Sequence, residues 1–67
     1  MELSEIGINA GKIWTYLSQT PNFTDVLEVK FSLSFSNTTL YLALGWLARE
    51  GKIIIAEQEN KLVIKLK

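Results

Sequence analysis

The stretch SNTTLYLALGWLAREGKI, residues 36–53, reads as one helix with a marked start, a marked stop and two different apolar faces. At about 100° per residue, Leu40, Ala43, Leu44, Leu47 and Ala48 fall on one side, while Leu42, Gly45, Trp46 and Arg49 fall roughly opposite. Ser36 or Asn37 can cap the free N–H groups of the first turn, and Gly51 sits where a left-handed residue would close the helix. A single small core does not easily bury both faces, so the outer one needs an explanation.

Downstream of Gly51, Lys52-Ile53-Ile54-Ile55-Ala56-Glu57 and Lys61-Leu62-Val63-Ile64-Lys65-Leu66-Lys67 flank a short polar link, the pattern of a hairpin. A two-residue turn at Glu59-Asn60 pairs Ile55 with Ile64 and Ile53 with Leu66 on one buried face, leaving Ile54, Val63, Lys61 and Lys65 on the other. A three-residue loop would set Ile53 against Lys65, the poorer match. Upstream, Leu3, Ile6, Ala10, Ile13, Trp14 and Leu17 recur at helical spacings, which predicts a helix from about Ser4 to Gln19. Ser4 is its candidate cap, and Pro21 biases Thr20 away from helical geometry. Gly7 and Gly11 flank this apolar stripe and suggest a close approach by another element.

Between these helices, Leu27, Val29, Phe31, Leu33 and Phe35 alternate with Glu28, Lys30, Ser32 and Ser34, as in a half-buried strand. Thr24 and Asp25 nevertheless make a sound helix start, and Val26, Val29 and Leu33 form a three-and-four-spaced stripe. Period alone favours the strand, but the local signals together leave both readings open.

Size and composition narrow the rest. With 67 residues the chain is one domain, residues 1–67, and at this size folding buries only about 60% of the surface the unfolded chain exposes. It has no cysteine and no histidine, so neither a disulfide nor the usual nitrogen and sulfur metal ligands can staple so small a core. A partner chain is the remaining staple, and 48% hydrophobic residues are consistent with surface held for association. Seven basic and seven acidic residues cancel, so net charge implies no general attraction to phosphate or anionic lipid. Acidic residues stand where a signal peptide needs positive charge, and no apolar run approaches a membrane span; the expectation is a cytoplasmic protein with no membrane contact. The Asn-x-Thr sequences at Asn22 and Asn37 then read as turn and cap residues.

Three helical segments followed by a hairpin, with the last helix running into the first strand through Gly51-Lys52-Ile53, resemble a winged helix-turn-helix, an α+β fold. More closely, NAGKIW at residues 9–14 and LYLALGWLAREGKI at 40–53 resemble a family of small stand-alone bacterial winged helix-turn-helix domains of unknown function. The resemblance covers nearly the whole chain. It implies that Leu40, Ala43, Leu44, Leu47, Gly51 and Ile53 hold the internal positions of the third helix and its exit, and Val29, Leu33 and Phe35 those of the second helix and its turn. On that basis the early part of residues 27–35 becomes helix, and the C-terminal hairpin becomes the wing. Ser34 departs from the glycine that such turns commonly carry. Fold membership transfers no function.

In DNA-binding members of the fold, the third helix enters the major groove and the wing touches backbone or minor groove. The candidate contacts here are Asn37, Thr38, Thr39, Tyr41 and Arg49, with Lys52, Lys61 and Lys65 from the wing. Arg49 is the only cation on that helix and lies at its far end. The plainer reading, in which Ser36, Asn37 and Thr38 cap and the lysines solubilise, is the more economical. Leu42 and Trp46, with Leu27 and Phe31 from the second helix, instead suggest a continuous apolar surface of the kind that centres protein interfaces. The competing reading is that the same chain folds over Trp46. Tyr16 and Tyr41 read as core-edge residues rather than base-stacking platforms.

Nothing points to catalysis: serines and threonines lack a general base, the carboxylates are scattered, and no Asp-rich loop offers a cation site. The expectation is therefore a non-enzymatic binding domain without a cofactor, self-associating as a homodimer and acting as a protein-interaction scaffold. The alternative is a DNA-binding transcriptional regulator using the third helix and the wing. Another protein partner fits the first reading, and nucleic acid the second.

Overall fold

The computed structural model describes residues 1–67 as α1 (Leu3–Ser18), β1 (Thr24–Asp25), α2 (Val26–Leu33), α3 (Asn37–Arg49), β2 (Ile53–Gln58) and β3 (Lys61–Leu66). Three helices and a C-terminal antiparallel hairpin give an α+β winged helix. Its core joins Ala10, Ile13 and Leu17 of α1, Val26 and Val29 of α2, Leu40, Ala43, Leu44 and Leu47 of α3, and Ile53 and Ile64 of the hairpin. Every one of these positions lies on an apolar stripe or strand face that the residue spacing had marked.

The helix ends follow local chemistry. α3 begins where the Ser36 hydroxyl accepts from the Thr39 amide at 3.1 Å, which selects Ser36 over Asn37 as cap. It ends in a left-handed Gly51 (φ 70°), with the Gly51 and Lys52 amides donating to the carbonyls of Ala48 and Leu47. Ala48, at the margin of the stripe, is exposed. α1 starts one residue before the expected Ser4: the Glu2 carbonyl accepts from the amides of Glu5 and Ile6, and no side chain caps the end.

The alternating segment resolves as helix over Val26–Leu33, because that winding buries Val26 and Val29 and packs Leu33 against the core. A strand would have placed Val26 and Val29 on opposite faces. Asp25 caps the helix, its carboxylate accepting from the Leu27 amide at 2.9 Å. Ser34 then takes the left-handed conformation (φ 57°) in place of a glycine, and the Phe35 amide donates to the Lys30 carbonyl to close the end.

Residue spacing did not reveal β1. Thr24 and Asp25 pair with Ile64 and Val63, so the sheet has three strands in the order β1-β3-β2. The hairpin register is the expected one: Glu59 and Asn60 form the turn, both with positive φ, and Ile53 faces Leu66 while Ile55 faces Ile64. Leu3 and Trp14 of the expected α1 stripe are exposed, and in the hairpin two further burial expectations are corrected. Ile55 shares the core-side face with Ile64 yet is 42% exposed, because it sits on an edge strand beyond the reach of the helices. Val63 points to the other face yet is buried, because its strand is central and neighbours flank it on both sides.

Candidate functional site

The outward surface of α3 follows from its winding. With Leu40, Ala43, Leu44 and Leu47 turned inward, Thr38, Tyr41, Leu42, Gly45 and Arg49 face solvent and all are exposed. Asn37 is exposed at the first turn, while Thr39 is half-buried and donates its amide to the Ser36 cap. Of the wing lysines, Lys52 and Lys61 are exposed. Lys65 is half-buried, its ammonium 5.5 Å from the centre of the Phe23 ring, so part of its charge is engaged within the chain. Acidic Glu50, Glu57 and Glu59 are interspersed with these cations and exposed. The face presents one arginine among aliphatic, aromatic and hydroxyl groups.

Trp46 does not lie opposite the core as expected. It falls about 100° from Leu47, on the flank rather than opposite the core, and packs half-buried against the core. Its ring reaches α1 at Gly7, where an added Cβ would meet Trp46 Cζ2 at 3.6 Å. Its own chain thus covers part of it, and the close approach inferred at Gly7 is made by this ring. At Gly11 nothing approaches within 4 Å. Beside Trp46, the side chains of Arg49 and Glu50 border a small open depression.

Leu27 and Phe31 fall on the side of α2 opposite Val26 and Val29, and Phe31 is 73% exposed, with the Lys30 ammonium 5.4 Å from its ring centre. Leu42 is exposed on α3. Sequence spacing found these positions because they lie off the buried stripes. It missed a shallow groove of about 590 Å³ along the outer side of α1, lined by Ile8, Gly11, Lys12, Thr15, Tyr16 and Leu33 among others. The long-range signal there is one hydroxyl contact, Ser32 Oγ donating to Tyr16 Oη at 3.4 Å, which joins α2 to α1.

No group of three or more carboxylates gathers where a metal ion could be held. Every buried side-chain nitrogen and oxygen has a hydrogen-bond partner. No helix is long and apolar enough to cross a membrane.

Known proteins place this geometry in context. A family model described as a winged helix-turn-helix domain (DUF2582) matches residues 1–66. An uncharacterized protein of Methanocaldococcus jannaschii is 34% identical over 64 residues, spanning 94% of this chain and 91% of its own length. The solution NMR structure of a protein from Bacteroides thetaiotaomicron superposes with a TM-score of 0.86 at 32% identity, covering 98% of this chain and 79% of that one.

Proposed function

Because this chain belongs to the DUF2582 family of winged helix-turn-helix domains, a fold that serves both DNA binding and protein interaction, we propose that it is a non-enzymatic protein-binding domain that self-associates. The observation that carries this reading is the outward face of α3. There Tyr41, Leu42 and Gly45 stand exposed with a single cation, Arg49. Tight phosphate binding draws on several cations, and guanine readout on a fork of donors in the N-terminal part of the helix. Apolar and aromatic groups beside an arginine suit the centre of a protein interface. Leu27 and Phe31 on α2, with Leu42 and the open edge of Trp46 on α3, are the helical residues proposed to meet a protein partner.

Two measurements test this together: mass in solution over a concentration series, and a titration with duplex DNA at several salt concentrations. The reading expects association, and binding to random duplex no tighter than about 10⁻⁴–10⁻⁶ M at physiological salt. Sub-micromolar DNA binding with a steep salt slope would instead make Arg49, Lys52, Lys61 and Lys65 phosphate contacts and the domain a DNA-binding regulator.

A further inference from the structure

One edge of the sheet is left open. β3 lies between β1 and β2, so β2 has a strand neighbour on one side only. The register fixes which of its backbone groups are free. The Lys67 amide donates to the Lys52 carbonyl, and antiparallel alternation then assigns residues 54, 56 and 58 to the pairs that exchange bonds with β3. The amides and carbonyls of Ile53, Ile55 and Glu57 therefore point away from β3, toward the open side.

Natural sheets blunt such edges with short strands, charge, proline or bulges. The opposite edge follows this rule, since β1 is two residues long. β2 does not: it is six residues long, pairs without a bulge, contains no proline and carries no charge before Glu57. Ile54 and Ile55 are 41% and 42% exposed on it.

We propose that β2 pairs antiparallel with β2 of a second copy of this chain, continuing the sheet across a two-fold axis. The proposal rests on the self-association reading and moves its seam to the sheet edge, leaving the α3 face to another protein partner. An axis perpendicular to the sheet keeps facing residues on the same face, so their numbers sum to an even value. Centring it on Ile54 sets Ile54 against its own counterpart, Ile53 against Ile55 of the second copy, and Lys52 against Ala56. Each isoleucine then meets an isoleucine, and Ile53 and Ile55 exchange their free backbone bonds on both sides of the axis. Centring on Ile55 would press Glu57 against the buried Ile53. The seam is short, below the roughly 1,200 Å² of a standard interface, so the dimer is weak and reversible.

Sedimentation of the full chain over a concentration series reaching the millimolar range tests the seam, with circular dichroism confirming that each variant is folded. Ile54→Lys sets two like charges face to face on the axis, and Ile54→Glu does the same with opposite sign. Each alone is expected to weaken association at least about tenfold, and an equimolar mixture of the two to restore it as a heterodimer. Ile55→Pro, which removes an amide pointing to the open side and leaves the ladder with β3 intact, should weaken association similarly. A wild-type dimer that all three variants leave unchanged, but that Leu42→Glu breaks, overturns the β2 seam and keeps the self-association reading. A wild-type chain that stays monomeric throughout overturns both.

Discussion

The two strands of the hairpin are made of similar material and meet opposite fates. β2 opens with three consecutive isoleucines, whereas β3 opens on Lys61 and interrupts its apolar residues with Lys65. Composition alone would bury β2 more deeply. In the fold, β3 contributes the fully buried Ile64 and the buried Val63, while β2 buries only Ile53. The difference is position: β3 is the central strand and packs against α1 and α2, whereas β2 is an edge whose helical neighbour is chiefly α3. In a domain this small the helices cover only part of the sheet, so a strand's place in the order outweighs its hydrophobicity.

The largest test of this contrast is Ile64→Ala. It removes a side chain with no solvent exposure from the centre of the core and should cost about 2–5 kcal/mol in denaturant unfolding. A domain of this size has little more to lose. Val63→Thr comes next. It keeps the volume but buries a hydroxyl between two flanking strands, and a loss of about 1–2 kcal/mol is expected; a loss below about 0.5 kcal/mol would mean that the outer face is open at that point.

The turn that joins the two strands offers a smaller effect of opposite sign. Glu59 and Asn60 both hold positive φ, 53° and 65°, which suits asparagine better than glutamate, so Glu59→Asn should raise stability by about 0.5 kcal/mol and lift the thermal midpoint. The smallest effect belongs to Ile55→Thr, which keeps a β-branched residue on the exposed edge and should stay within about 0.5 kcal/mol of wild type in dilute solution. If Ile55→Thr destabilised as much as Ile64→Ala, the distinction between edge and central strand would fail.

Residues far apart in the chain decide most of what spacing could not settle. Val26, Val29 and Leu33 fit a helix while Leu27, Val29, Phe31, Leu33 and Phe35 fit a strand, and only the surface offered by α1 and β3 makes the helix the better burial. β1 was invisible because two residues carry no period; Thr24 and Asp25 become a strand only when β3 lies alongside. Trp46 could be placed on α3 but not covered, since its cover is the bare backbone at Gly7 on another helix. The exposed Leu27, Phe31 and Leu42 were legible because each lies off a buried stripe on its own helix.

What the amino-acid sequence determined by itself is local. The helix start at Ser36–Asn37, the left-handed Gly51 stop and the Glu59-Asn60 register each depend on groups a few residues apart, and backbone geometry and hydrogen bonding act at that range. Tertiary structure decided the helical state of residues 26–33, the pairing of β1, the cover on Trp46, and the reversal in which Val63 is buried and Ile55 is not. Burial depends on which surfaces arrive from elsewhere in the chain, and no local pattern encodes how far the helices reach across the sheet.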